Sequence, residues 1–209
     1  MTHTLHRYGR VDTLNDDLVF LSMSAKGFAN EKGSAEKMKK TLEIARKHNP
    51  VNMGDMKTGN LLEMSIDEIM RKVTDTSIVH AVFANIEAAA AFAKEVKEAK
   101  LGISLVVSAP FDRAWKVADM AGCMGHTIEY SGGIWGRTEK LPAPEVLEFT
   151  TMCGHGMISH YLVEDVIRRV KAGKTNVVDG AREIGKQCCC GIYNPDRSEK
   201  LLKALAAKK

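Results

Sequence analysis

The residue types best suited to chemistry in this 209-residue chain are its five cysteines, all in the C-terminal half. An odd count with three cysteines in a row does not match the disulfide framework of a small secreted protein. Free thiols are typical of a reducing compartment, where they bind metals or carry out thiol chemistry. The five residues are Cys123, Cys153, Cys188, Cys189 and Cys190.

Two short segments carry four of these cysteines. Residues 152–157 read MCGHGM and residues 187–195 read QCCCGIYNP, and each precedes a stretch with helical character. A helix N-terminus stabilises a thiolate through its free amide groups and its dipole, so we expect lowered pKa values for Cys153 and Cys188. The flanking glycines leave room for a cofactor to approach the backbone.

The thiols favour an iron–sulfur cluster as the cofactor. In an extended segment, Cys188 and Cys190 point to one side and Cys189 points to the other. Cys153 adds a third metal ligand, and Cys123 is the candidate for a fourth. Metal ligation is therefore assigned to Cys153, Cys188 and Cys190, with Cys123 and Cys189 as further cofactor-binding candidates. Zinc is the alternative metal, in a zinc-stabilised binding module, although the chain has no C-x2-C pair.

Two further residues are candidates for catalysis. His155 lies between two glycines beside Cys153, where it can tune a cluster or move a proton. Arg137 ends the glycine-rich loop 130–137, and its guanidinium can bind a carboxylate or a phosphate with two parallel hydrogen bonds. These residues predict a lyase, desulfurising or redox enzyme that acts on a small anionic molecule.

A metal-free thiol enzyme is the alternative hypothesis. The sequence MCGHG at 152–156 resembles the cysteine motif of the proline racemase and hydroxyproline epimerase family. The resemblance covers these five residues and implies an acid/base cysteine at a turn that holds a substrate carboxylate. Cys153 would then be the acid/base group or nucleophile, and one of the three consecutive cysteines would be its partner or resolving thiol.

The elements that must position these residues follow an α/β pattern. Apolar runs at 78–84 and 103–107 flank a helix that Asn85 caps and Gly102 ends. This order predicts one parallel βαβ unit over residues 77–108. The fold class we expect is therefore a layered α/β fold, completed by a helical, cysteine-bearing C-terminal third.

The remaining segments are predicted from shorter patterns. A buried strand is expected at 18–23, a loop at 50–64 and a further strand at 126–130. Ser34 is predicted to cap one helix, and a capping box at Ser65 to begin another. Asn194–Pro195 is predicted to begin a last helix with Leu201, Leu202 and Leu205 on one side. Strands and helices alternate over residues 17–130, and residues 150–209 form the helical, cysteine-rich portion. Without a linker rich in Gly, Ser or Pro, we expect one domain over 1–209.

Composition narrows the class of protein further. Hydrophobic residues make up 44% and charged residues 27%, which is typical of a globular chain. The net charge of +4 comes without a basic run interleaved with aromatic residues, so no nucleic-acid partner is expected. No apolar run has membrane-spanning length, and the first residues lack the apolar stretch of a signal peptide. We therefore expect a cytoplasmic protein that does not bind membranes. The patterns do not predict its oligomeric state.

Overall fold

The computed structural model describes residues 7–25, 27 and 31–207, which form one five-stranded sheet and nine α-helices. The strands, in the spatial order β3-β2-β4-β1-β5, are β1 (Leu18–Met23), β2 (Asn52–Asp55), β3 (Gly59–Asn60), β4 (Ile78–Phe83) and β5 (Ser104–Ser108). The helices are α1 (Val11–Leu14), α2 (Ser34–Lys47), α3 (Ile66–Lys72), α4 (Ile86–Glu98), α5 (Phe111–Met120), α6 (Pro144–Thr150), α7 (His160–Lys171), α8 (Val177–Gly185) and α9 (Pro195–Ala207).

Every strand pair within the described residues is antiparallel. The parallel βαβ unit predicted for residues 77–108 is therefore wrong, although its two strands and its helix exist as β4, α4 and β5. β1 lies between β4 and β5, with Phe20 opposite Ala81 on one side and opposite Val107 on the other. The reason is that an apolar run specifies a buried strand but not its neighbour, and β1 lies between the two strands of the predicted unit.

The predicted loop at 50–64 contains two short strands. β2 and β3 form a hairpin in which Gly54 pairs with Asn60. A Cβ atom on Gly54 would lie 2.3 Å from the carbonyl oxygen of Gly59, so the hairpin depends on a glycine at this position. Residues 126–130, predicted as a strand, have no regular secondary structure, and their side chains are exposed.

The two faces of the sheet pack against two separate hydrophobic cores. Because side chains alternate along a strand, Leu18 and Phe20 of β1 point into the first core while Val19 points into the second. The first core includes the buried faces of α2, α3 and α4. The second core lies among α6 to α9 and contains three of the five cysteines.

Local capping fixes several helix boundaries. The hydroxyl of Ser65 accepts a hydrogen bond from the Glu68 amide in a complete capping box, and the Asn85 side chain caps α4, which confirms both predicted caps. Ser34, predicted as the cap of α2, is instead its first residue. The cap comes from the Asp75 carboxylate, which accepts hydrogen bonds from the Gly33 and Ala35 amides. That carboxylate comes from a distant part of the chain.

Candidate functional site: a buried cluster of three thiols

The segment with three consecutive cysteines is anchored to the β2–β3 hairpin by two buried asparagines. The side-chain amide of Asn60 donates to the carbonyl oxygen of Cys188 at 2.9 Å, and that of Asn52 donates to the carbonyl oxygen of Tyr193 at 3.0 Å. Between these bonds, Gly191 has a φ of +81° and lies directly against Asn60. The backbone of the cysteine turn is therefore held at both ends by the sheet.

A buried ionic network fixes the chain immediately after this turn. The Asn194 side chain accepts a hydrogen bond from the Arg197 amide at 2.9 Å and donates to the Asp17 carboxylate at 3.1 Å. The Arg197 guanidinium contacts Asp17 at 3.0 Å and Glu148 at 3.3 Å. Arg7 also pairs with Asp17. Two guanidinium groups and two carboxylates therefore lie in contact with one another, and their buried charges compensate each other.

The structure brings Cys153 together with two of the three consecutive cysteines. The Sγ atoms of Cys188 and Cys190 are 3.7 Å apart, and Cys188 lies close enough to Cys153 to raise the pKa of the Cys153 thiol. All three side chains are buried in the second core. We call these three residues the thiol cluster. As predicted, Cys188 and Cys190 point away from Cys189, which is exposed, although the segment is a turn and not an extended strand.

The thiols of the cluster differ in acidity. The hydrogen bond with Cys188, reinforced by burial, raises the pKa of Cys153 well above its usual range. The same bond lowers the pKa of Cys188, but its contact with Cys190 and its burial outweigh that effect and raise this pKa to about 11. The pKa of Cys190 is lowered, chiefly by its hydrogen bond with the Cys188 thiol and secondarily by the Ile192 amide. Cys190 is therefore the preferred site of negative charge.

The expectation of lowered pKa values for Cys153 and Cys188 is wrong. That expectation placed both residues at helix N-termini, but α7 begins only at His160 and α9 only at Pro195. Each cysteine is seven positions before its helix, beyond the first turn where the helix dipole acts. Burial and the neighbouring thiols determine their acidity instead.

The other predicted site residues lie elsewhere. Cys123 is half-buried against the first core, on the opposite face of the sheet from the thiol cluster, and its thiol contacts the carbonyl oxygen of Ala121. The exposed Cys189 has a raised pKa because of partial burial and the nearby Cys153. His155 and Arg137 are both exposed, and the main chain of His155 lowers the pKa of Cys153 slightly.

Several residues that build the site carry no recognisable signal in the sequence. Asn52 and Asn60 lie in the segment predicted as a loop, and Arg197 lies in a helix predicted from its leucines. Tyr193 is wholly buried beside the cluster, and burial raises the pKa of its phenol. The one available hint was the pair Asn194–Pro195, correctly predicted to start α9.

Three findings concern metal binding, membrane spanning and similarity to known proteins. Among the described residues, no group of three or more His, Cys, Asp or Glu side chains is placed to hold a metal ion. Over the same part of the chain, no helix has both the length and the apolar character needed to cross a bilayer. No protein-family model, no curated protein and no solved structure matches this chain.

Proposed function

We propose that this protein is a thiol redox protein in which Cys188 and Cys190 interconvert between a dithiol and a disulfide. The observation that carries the proposal is the 3.7 Å separation of their Sγ atoms within the thiol cluster. The two sulfur atoms need to approach by less than about 2 Å to form a disulfide bond of about 2.05 Å. No metal is required for this chemistry.

The different pKa values of Cys190 and Cys188 suit them to different steps of the reaction. The Cys190 thiolate attacks one sulfur of a small disulfide, which forms a mixed disulfide and releases one substrate thiolate. Cys188 then loses its proton to that thiolate and attacks the Cys190 sulfur. This second step closes the Cys188–Cys190 disulfide and releases the other half of the substrate as a thiolate. Two electrons pass from the protein to the substrate, and the atoms balance.

Access to the pair depends on the turn around Cys189. Because Cys189 is exposed while its neighbours are buried, the pair lies one residue beneath the surface, and local opening of the turn would uncover it. Cys189 itself is a poor nucleophile near neutral pH, since its pKa is raised. The opening step would therefore limit the rate of oxidation.

The proposed substrate is a small anionic disulfide in the cytoplasm. The exposed cations Arg182 and Lys186 precede the cysteine turn and favour an anionic molecule there. His155 is retained as the candidate proton carrier and Arg137 as the candidate residue for orienting the substrate. The cytoplasmic assignment is supported by the state of the five cysteines, all of which are free thiols.

Thiol counting tests this proposal. Reduced protein would be exposed to oxidised glutathione, and its free thiols would be counted by alkylation and intact mass. We expect the wild type to lose two thiols without retaining glutathione. Cys188→Ser should retain one glutathione on Cys190, because the resolving thiol is missing. A lower rate with neutral hydroxyethyl disulfide would support the preference for an anion.

Two matched variants complete the experiment. Cys123→Ser removes a thiol from the other core and should react like the wild type, and Cys189→Ser should do the same. The proposal fails if Cys190→Ser is oxidised as fast as the wild type. Mass mapping that finds glutathione only on Cys189 would also refute it.

An iron–sulfur cluster is the second candidate, with zinc as the alternative metal. The observation that favours it is the approach of Cys153 to Cys188 and Cys190 from a distant segment, although the three side chains as placed do not form a metal-binding group. Such a protein would be a lyase, a desulfurising enzyme or an oxidoreductase. Protein purified without oxygen should then contain iron and sulfide, or zinc, in stoichiometric amounts that Cys188→Ser abolishes. If metal-free wild-type protein still forms the Cys188–Cys190 disulfide, the result supports the thiol redox function over the metal cluster.

A further inference from the structure

Arg7, near the start of the chain, contacts the backbone of the cysteine turn. Its guanidinium donates a hydrogen bond to the carbonyl oxygen of Ile192, which lies 185 positions further along the sequence. Another nitrogen of the same guanidinium pairs with the carboxylate of Asp17. The Arg7 side chain is only 6% exposed, and the Asp17 side chain is wholly buried. One arginine therefore connects the buried ionic network to the turn that carries two of the clustered thiols.

The main chain beside Arg7 is held in place by further contacts. The Tyr8 amide donates to the Thr151 hydroxyl at 2.9 Å, and the Tyr8 carbonyl oxygen accepts from the Arg197 guanidinium at 2.8 Å. A Cβ atom on Gly9 would collide with that guanidinium, so the chain passes directly against it. Arg7 therefore reaches the cysteine turn from an anchored backbone.

The peptide group between Ile192 and Tyr193 lies between Arg7 and the Cys188 thiol. In a trans peptide the carbonyl and the N–H point in opposite directions, and the described chain contains no cis peptide bond. Arg7 holds the oxygen of this peptide, and the Tyr193 amide on its other side lies close enough to the Cys188 thiol to lower its pKa. The Asn52 side chain holds the following carbonyl, that of Tyr193, at 3.0 Å. These contacts fix the direction of the N–H group that faces Cys188.

This N–H group matters in the second step of the proposed reaction. Cys188 must become a thiolate before it attacks the Cys190 sulfur of the mixed disulfide. A donor at the sulfur favours the thiolate, and a guanidinium on the oxygen of the same peptide strengthens that donor, because hydrogen bonds in a chain polarise one another. The thiols of Cys153 and Cys190 and the phenol of Tyr193 also face Cys188, and each of them is neutral or negative. The peptide held by Arg7 therefore brings a positive charge to bear on Cys188.

We propose that Arg7 is a positioning residue for the resolving step, in which it holds the Tyr193 amide against the Cys188 sulfur. Arg7 acts through the peptide and takes no part in the bonds that change. In that step Cys188 loses its proton to the thiolate already released, its sulfur bonds to that of Cys190, and the second half of the substrate leaves as a thiolate. The inference rests on the proposed redox function and concerns the rate of its second step.

The size of the effect follows from the acidity of Cys188. A weakened hydrogen bond to an ionised group should raise the pKa of Cys188 by about one unit, which lowers the thiolate fraction about tenfold. A more basic thiolate is also about threefold more reactive, because nucleophilicity rises with pKa. We therefore expect loss of Arg7 to slow the resolving step about threefold.

A two-stage experiment measures the resolving step alone. Reduced protein is first mixed with excess oxidised glutathione at about pH 5, where Cys190, whose pKa is lowered, still reacts while Cys188 stays protonated. The loaded protein is then brought to about pH 8 and quenched with acid at intervals. Intact mass and peptide mapping follow the loss of glutathione from Cys190. Arg7→Met should release glutathione about threefold more slowly than the wild type.

Further variants separate positioning from a loss of stability. Arg7→Lys keeps a positive donor and should recover part of the rate. Arg7→Gln keeps only a neutral donor and replaces Arg7→Met if circular dichroism shows that Arg7→Met is unfolded; it should also be slower than Arg7→Lys. Arg10→Met removes an exposed arginine that pairs with Asp12, and Ile69→Val loosens the first core. Both should release glutathione at the wild-type rate.

The outcomes distinguish this inference from the function on which it rests. An Arg7→Met variant as fast as the wild type, or an Arg7→Lys variant as slow as the neutral variants, would overturn the positioning role. An Ile69→Val variant as slow as Arg7→Met would assign the effect to lost stability. A wild type that takes up glutathione on Cys190 but never releases it would instead refute the redox function itself.

Discussion

The close contact between Gly191 and the β2–β3 hairpin makes Gly191→Ala the most discriminating stability test of the site. The backbone of Gly191 has a φ of +81°, a left-handed conformation that costs a residue with a side chain about 1–2 kcal/mol. The added Cβ would also lie 2.7 Å from the Cβ of Asn60 and 3.3 Å from the carbonyl carbon of Met53. Neither atom is the end of a flexible side chain, so overpacking adds about 1–3 kcal/mol. We expect the free energy of unfolding to fall by about 2–5 kcal/mol.

Gly173→Ala separates the two contributions. Gly173 has a φ of +66°, but a Cβ atom added there would meet no other atom within 4 Å, so this variant should lose only the backbone cost of about 1–2 kcal/mol. Urea unfolding followed by circular dichroism measures both variants. With a slope of about 2–3 kcal/mol/M, the midpoint should shift about twice as far for Gly191→Ala. Equal shifts would refute the argument that the cysteine turn packs tightly on the sheet.

The same variant has a second readout at the thiols. If the turn lifts from the hairpin, the buried Cys188 and Cys190 become more accessible, and their reaction with an aromatic disulfide reagent should accelerate in Gly191→Ala. Gly173→Ala should react like the wild type. Unchanged thiol reactivity together with a large stability loss would mean that the strain is relieved elsewhere.

Three further predictions concern stability. Arg197→Met leaves the buried Asp17 with Arg7 as its remaining cation. The free energy of unfolding, measured by thermal unfolding, should fall by about 3 kcal/mol. An unchanged transition would contradict the role of this ionic network. In the folded protein the pKa of Cys188 is about 11, above its ordinary value of 9.0. The stability that the protonated Cys188 thiol contributes is therefore fully present below pH 9 and is lost as the pH rises to 11. The free energy of unfolding of the reduced protein, measured in urea, should therefore fall by about 3 kcal/mol over that interval. Cys188→Ala should remove this part of the pH dependence. Ser65→Ala should cost about 1 kcal/mol in the same assay through loss of the α3 cap, and no change would contradict its role.

The sequence predicted those elements whose signals are local. The strands at 18–23 and 78–83, the caps at Ser65 and Asn85, and the proline that begins α9 are specified by neighbouring residues, and the structure confirms them. Burial energy and capping act within a few positions, so a single chain segment carries enough information to specify them.

The pairing of strands was not predicted, because it depends on residues far apart in the chain. β1 separates β4 from β5 and makes the sheet antiparallel, and nothing in the apolar runs themselves encodes that order. The β2–β3 hairpin was also missed, since its two strands are short and depend on the contact between Gly54 and Gly59. The carboxylate of Asp75 at the start of α2 is a further example of a partner supplied from a distance.

The sequence by itself determined that four thiols lie in two glycine-flanked turns and that Cys188 and Cys190 share a side of the chain. The sequence also indicated that Cys153 joins this pair, whereas only the tertiary structure decided that Cys123 packs on the other face of the sheet. The tertiary structure also decided which thiol holds the negative charge, since burial and hydrogen bonding between thiols raise the pKa of Cys153 and Cys188 and lower that of Cys190. Acidity depends on what surrounds a group in space, and sequence spacing does not specify those surroundings.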